Sequence, residues 1–312
     1  MAQKKTGKLA FEEYYKALFA TDSEYSDFIS ALRINRPPNL RFDPKNEEKL
    51  RELWEAAGLP FKTVSWYPYM LEWPTQVAIG TQLPGFAEHL FYPMSASSLL
   101  PVLALDPQKN EYVLDACAAP GGKALLIAEI LGESHTLIAN DLSRARRDRM
   151  KHVFSDYDAK VGVWGMKAEL ICKKAPEAFD KILLDAPCSS EAHIYNTPAE
   201  LEKWSINRVI GLKKRQVGLL SGLWHALKPG GTLVYSTCAV TPEEDEWVVG
   251  KFLKKRKGEA TLVPFTTPQQ VPGNPGIPGE YAVEYDTSLV RRVLPHTSGL
   301  DPMFVAVFKK AL

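Results

Sequence analysis

Two cysteines in this chain stand just past apolar runs that read as buried strands. "LLDAPCSS" (183–190) carries Cys188 directly after a proline, and "GTLVYSTC" (231–238) ends on Cys238. A lone cysteine of this kind is commonly a small buried hydrophobe. Two at adjacent strand ends, with Asp185 close by, point instead to thiol chemistry. The thiolate is the reactive form, and a free cysteine is only a few per cent thiolate at neutral pH, so a neighbouring cation or proton acceptor has to help.

The first strand–turn–helix narrows that chemistry. "VLDACAAPGGKA" (113–124) places Gly121 and Gly122 where backbone can approach a ligand, with small Ala118 and Ala119 beside them and Lys123 as the nearest cation. The spacing matches neither the dinucleotide fingerprint nor a Walker loop. Asp141 ends the next strand, where an acid can accept bonds from two ribose hydroxyls. One ribose, no phosphate cradle and a glycine turn fit S-adenosylmethionine. A thiol beside a methyl donor fits alkylation at C5 of a pyrimidine. That carbon is a poor nucleophile until a thiolate adds at C6. An acid held against N3, the position suited to Asp185, offsets the charge that builds on the ring. Two thiols allow one to attack and one to assist departure.

These residues need a scaffold that brings strand ends together. From Tyr112 onward the chain alternates apolar strands with helices: "YVLDA", "HTLIAND", "VGVWG", "DKILLDAP" and "GTLVYSTC" are the strands. Such alternation predicts a parallel sheet covered on both faces, with ligands at its carboxyl edge. The long helix "NRVIGLKKRQVGLLSGLWHAL" is expected to stop at "KPGG". A further helix is expected over "TPEEDEWVVGKFLKK", with Thr241 as its cap. "LVRRVLP" and "MFVAVFKK" read as two closing strands, and "VPGNPGIPGE" (271–280) as a loop. The first hundred or so residues differ. A helix over 46–58 lies among proline-rich and aromatic stretches, which suits a small α+β domain with its boundary between 75 and 105.

Composition sets outer limits. The 312 residues are 45% hydrophobic and 24% charged, with a net charge of +1. These values are ordinary for a globular protein. No run of about twenty apolar residues marks a membrane span, and the N-terminus does not read as a signal peptide. Four scattered cysteines without a CxxC pair argue against structural zinc or a disulfide framework. No metal is expected, and a cytoplasmic location is.

"DACAAPGGK", "LLDAPCSS", "KPGGTLVYSTC" and "TPEEDE" resemble, in order and spacing, the signature motifs of the Nop/Sun (Fmu) family of RNA cytosine-5 methyltransferases. The likeness continues into 88–105 and 291–310, and "FEEYYKALF", "LRINRPP" and "SWYPYMLEW" are similar to the family's N-terminal RNA-binding region. The resemblance implies an α/β, Rossmann-like S-adenosylmethionine-dependent methyltransferase fold with a mainly parallel seven-stranded sheet, over residues 101–312. Residues 1–100 would form a small N-terminal α+β RNA-binding domain. It implies Cys238 as the nucleophile and Cys188 as the group that helps release the methylated product. Asp185 would contact the base. Cys117, Ala118, Ala119, Pro120, Gly121, Gly122 and Lys123 would cradle the methionine end of the cofactor, and Asp141 its ribose. The implied partner is RNA, either tRNA or rRNA, bound by a monomer with no membrane association. Three positions depart from the pattern. No acid follows the third strand before Glu169, Met94 stands where glutamine is usual, and "EAHIY" replaces a glycine-rich continuation after "PCSS".

Some residues read more plainly. Arg144, Arg146, Arg147, Arg149 and Lys151, and separately Lys213, Lys214 and Arg215, suit solvated helix faces. Trp66, Tyr67, Tyr69 and Trp73 suit a small core rather than base stacking. His296 suits a loop histidine satisfied by backbone. Competing functions are a non-catalytic assembly factor, a nitrogen methyltransferase, for which "DAPC" lacks the usual aromatic, and a cysteine hydrolase using His225 or His296.

Overall fold

A computed structural model describes residues 6–132, 136–264, 273–279 and 285–312. Residues 271, 272 and 280 of the expected loop lie outside this range.

A small sheet comprises β1 (Asn39–Phe42), β2 (Thr63–Val64), β3 (Tyr67–Leu71) and β4 (Phe91–Met94), in the order β2-β3-β1-β4 with every pair antiparallel. The helix Glu47–Ala56 packs Leu50 and Trp54 onto it. Glu47 and Glu48 lie in its first turn, where they complement the helix dipole.

The large sheet contains β5 (Tyr112–Asp115), β6 (Thr136–Asn140), β7 (Gly162–Trp164), β8 (Phe179–Asp185), β9 (Leu227–Thr237), β10 (Ala260–Val263), β11 (Arg291–Val293) and β12 (Met303–Lys310). Its path runs β10-β12-β9-β8-β5-β6-β7, with β11 paired to β12. The pairs among β5 to β9 are parallel, and those of β10, β11 and β12 antiparallel. Side chains alternate between two cores. Leu114, Ile182, Leu184, Leu233 and Tyr235 enter one, and Val113, Leu183 and Val234 the other. This two-faced burial is why the strands read as unbroken apolar runs.

The structure corrects four expectations. The sheet has eight strands rather than seven, because "ATLV" forms β10 at its edge and the expected pair became β11 and β12. Four residues behind the lysine-rich 254–257 tip gave little periodicity to read. "KPGG" lies inside β9 rather than ending the preceding helix, which is Ile206–Leu223. A register shift between Phe179 and Lys181 accommodates it, with Gly230 at φ +71°. The helix after Cys238 begins at Glu246, and Thr241–Asp245 is a buried turn. His296 has no backbone partner. It sits 3.9 Å from Glu24 and edge-on to Phe19 and Phe28, and burial lowers its pKa.

The helices Gly7–Lys16 and Asp22–Arg33 do not join the small sheet. Phe11, Tyr15, Phe28 and Leu32 pack against Ile194, Tyr195, Trp204 and Val209, next to the strand end that carries Cys188.

Candidate active site

The parallel sheet brings the two cysteines together. Cys238 directly follows β9, and Cys188 lies three residues past the end of the adjacent strand β8, the two strands being paired through Asp185 and Ser236. Cys188 Sγ and Cys238 Sγ are 3.1 Å apart, and both thiols are free. The bond between them dominates their titration. It lowers the pKa of Cys238, with help from Ser190, and together with burial it raises that of Cys188. Either sulfur can donate in this contact, and the directions of the two shifts are those of Cys188 donating to Cys238.

Asp185, the last residue of β8, is shared between two neighbours. Oδ2 accepts from Lys123 Nζ at 2.7 Å, and Oδ1 from Ser236 Oγ at 2.7 Å. Lys123 projects from the first turn of the helix Gly122–Leu131. Its pKa is raised despite burial, chiefly by Asp185 and then Asp115. Asp115, at the end of β5, is wholly buried, and among the described residues no well-aligned hydrogen bond reaches either oxygen. Desolvation first, and Asp185 second, push its pKa up to about 7; Lys123 and the Cys117 amide offset only part of this.

Behind this cluster lies a cleft of about 530 Å³, lined by Ala116, Cys117, Asp141, Met166, Glu169 and Arg215 among others. That volume falls in the range of small-molecule sites, roughly 300–1,000 Å³. Asp141 is almost fully buried. Its Oδ1 accepts from the Ser143 amide at 2.9 Å, and Arg146 pairs with Oδ2 at 3.1 Å. Burial and the nearby Asp115 raise the Cys117 thiol to about 12, so this cysteine lines the cleft as an inert group. Ala118 and Ala119 turn their side chains into a cluster with Met150 and Phe154. The Ala119–Pro120 bond is cis, and Gly121 follows at φ +118°, a conformation that favours glycine. A Cβ on Gly122 would lie 2.5 Å from the Tyr92 ring. The glycine turn therefore admits the small sheet's β4 right up to the loop that follows β5.

The structure gathers Cys188, Cys238, Asp185 and Lys123 at one point, and Cys117 and Asp141 in the cleft. It adds residues the sequence reading passed over. Arg146 and Arg147, read as solvated, bond Ala119 O and Asp141 O respectively. Asn140 ties the Ala116 and Met166 backbones together. Glu191, Glu244, Asp245, Glu246 and Arg292 form buried networks behind the two cysteine loops. The "TPEEDE" acids were visible as part of an expected helix, but nothing in the run itself marks them as buried. Tyr69 and Trp73 pack against the small sheet's core, as expected, whereas Trp66 and Tyr67 pack into the core shared with the large sheet. His225 bonds Arg256 and His296 packs against Phe19 and Phe28, so neither histidine of the hydrolase reading is held on a thiol. Among the described residues, no cluster of three metal-ligating side chains occurs, and no helix is long and apolar enough to cross a membrane.

The strand order, with a loop of glycines after the first parallel strand and an acid after the second, defines the fold of S-adenosylmethionine-dependent methyltransferases. Residues 102–309 match the family described as 16S rRNA methyltransferase RsmB/F. The chain belongs to that family, within the Nop/Sun group of RNA cytosine-C5 methyltransferases. It is 34% identical over 302 residues to a 28S rRNA (cytosine-C(5))-methyltransferase of Mus musculus, covering 92% of this chain and 37% of that protein. It is also 34% identical to a tRNA (cytosine(49)-C(5))-methyltransferase of Pyrococcus abyssi, covering 98% and 97%. Among solved structures, a methyltransferase homolog from Pyrococcus horikoshii superposes with a TM-score of 0.77 at 27% identity, covering 92% of this chain and 90% of that one. The chain spans less than half the length of the first curated relatives it matches.

Proposed function

We propose that this protein methylates C5 of cytosine in tRNA or rRNA, using S-adenosylmethionine and a transient Cys238–C6 bond. The observation that carries the reading is the pair of free thiols 3.1 Å apart, beside the Lys123–Asp185 pair, at the carboxyl edge of a methyltransferase sheet. The site fits the cofactor. Asp115 is a buried acid with unfilled acceptors, the turn at Gly121–Gly122 has no room for a Cβ, and the cleft offers Asp141 for a ribose. When bound, S-adenosylmethionine supplies a methyl group as a sulfonium electrophile.

The chain's own residues do the rest. Cys238, held towards its thiolate by Cys188 and Ser190, adds to C6 of the flipped cytosine and leaves C5 nucleophilic. Asp185, which accepts from Lys123 and Ser236, shares the Lys123 proton with N3 as the thiolate adds, so the negative charge pushed onto the ring is neutralised there, and takes that proton back when the thiolate leaves. After C5 has gained its methyl group, a solvent water acts as the base that takes the C5 proton, the electrons of that C–H bond expel Cys238 as its thiolate, and Cys188 assists the departure by donating to that sulfur. Cys117 to Lys123 line the methionine end of the cofactor. Residues 1–100 supply the RNA-binding region, whose first two helices pack on the catalytic part rather than on the small sheet, and residues 101–312 form the catalytic domain, in a cytoplasmic monomer. Flipping a cytosine costs a few kcal/mol, which favours looped or single-stranded targets.

RNA containing 5-fluorocytidine tests the reading, because fluorine at C5 blocks proton loss and holds the covalent adduct. A protein–RNA adduct mapped to Cys238, absent in Cys238→Ser, is expected. An adduct at Cys188 instead, or none while S-adenosylmethionine still binds, would overturn the assignment.

A further inference from the structure

We propose that Glu191 is a positioning residue that sets the register of the two cysteine loops, rather than a passive buried acid. This inference rests on the thiol reading above.

Glu191 is wholly buried and spends each oxygen on a different loop. Oε1 accepts from Ser189 Oγ at 2.5 Å, one residue after Cys188. Oε2 accepts from the Val240 amide at 3.1 Å, two residues after Cys238. One carboxylate thus bridges both loops. Its own tether comes from outside the sheet: Tyr15 OH, on the helix Gly7–Lys16, also donates to Oε1 at 2.5 Å. Tyr14 on the same helix bonds Glu243 of the second loop. Glu244 repeats the bridge from the other side. Its Oε1 accepts from the Ser189 amide at 3.0 Å and from Gln216 at 2.9 Å, while Oε2 accepts from Thr241 Oγ1 at 3.1 Å.

This arrangement costs stability, which argues for a purpose. Desolvation, then the nearby Glu244, push Glu191 up to about 7. A hydrophobic filler would pack the same space at no such cost. What a filler lacks is directional bonds to two separate loops. Those bonds fix Cys188 and Cys238 at donor–acceptor distance, and an error of about 1 Å in such a pair can cost on the order of a hundredfold in rate. Glutamine can keep all three bonds: its carbonyl accepts from Val240, and its amide donates to the Ser189 and Tyr15 hydroxyls after they rotate.

The test uses the full chain and two readouts. The first is the rate at which diamide, a thiol oxidant, links Cys188 to Cys238, followed by peptide mapping. It reports the separation of the thiols and needs no RNA. The second is kcat and KM for methylation. Glu191→Ala is expected to slow both cross-linking and kcat at least about tenfold while the KM for S-adenosylmethionine holds. Glu191→Gln is expected to restore both to within about threefold, and Tyr15→Phe, which keeps two of three bonds, to fall between. Wild-type rates in Glu191→Ala would overturn the proposal. So would equal losses in the alanine and glutamine variants with a common fall in Tm, which would mark a general structural role. If the wild-type chain cross-links as expected but makes no 5-methylcytidine, the function is wrong and the positioning role stands.

Discussion

Replacing Cys188 with alanine should shift the reactivity of the other cysteine along the pH axis. The bond between the two sulfurs is the largest influence on both, raising Cys188 and lowering Cys238. A hydrogen bond to a charged acceptor is worth about 1.5–3 kcal/mol. A thiol is a weak donor, so the low end applies, and about 1.4 kcal/mol corresponds to one pH unit. Cys188→Ala should therefore raise the Cys238 midpoint by about one unit. At pH values below both midpoints, the thiolate fraction falls about tenfold. Ser190 remains as a partner, so the shift is bounded. The assay is the iodoacetamide alkylation rate of Cys238, followed by peptide mass spectrometry across neutral pH. Cys188→Ser, which restores a donor, should recover part of the shift. A midpoint that stays put or moves down in Cys188→Ala would refute the donor assignment and the division of labour built on it.

Three further outcomes follow from the same geometry. Asp115→Asn should flatten the pH dependence of stability. The native carboxyl titrates near 7 against an unfolded value of about 3.9, so wild-type stability falls as pH rises through that window, by about 4 kcal/mol in all; after about 1–3 kcal/mol for a poorly bonded amide, the variant should melt higher than wild type at pH 8 and lose that lead at pH 5. Asp141→Ala should weaken S-adenosylmethionine binding by about ten- to a hundredfold in calorimetry, the equivalent of one or two hydroxyl bonds to a charged acceptor, and leave thiol cross-linking unchanged. Gly122→Ala forces a Cβ to 2.5 Å from the Tyr92 ring, so it should cost about 1–3 kcal/mol; adding Tyr92→Leu should recover most of the lost Tm, and additive losses would show the contact is not the cause.

The sequence made the catalytic scaffold legible because its signals are local. A parallel sheet buried on both faces writes each strand as an apolar run, and the residues closing Tyr112–Asp115, Thr136–Asn140, Phe179–Asp185 and Leu227–Thr237 fall at one edge by topology alone. Asp185, Cys188 and Cys238 could thus be placed together before any coordinates. Long-range partners could not. Tyr15 and Glu191 are far apart in the chain, and nothing in "FEEYYKALF" marks a tyrosine that bonds a buried acid bridging the two thiol loops. A helix expected over "TPEEDEWVVGKFLKK" does not mark its acids as buried, because their partner Arg292, which meets Asp245 and Glu246, lies on a strand from the far end of the chain. Ala260–Val263 escaped because four residues carry too little periodicity, and its strand status comes from pairing with Met303–Lys310.

The central claim is that this chain places a methyl group on C5 of cytosine through Cys238. Its most direct test is nucleoside mass spectrometry after incubation of wild-type and Cys238→Ser proteins with isotope-labelled S-adenosylmethionine and separated tRNA and rRNA. Labelled 5-methylcytidine in one fraction with the wild type, and none with Cys238→Ser, is the expected result and names the RNA class. Label on another nucleoside, or labelled 5-methylcytidine at the wild-type rate with Cys238→Ser, would contradict the account.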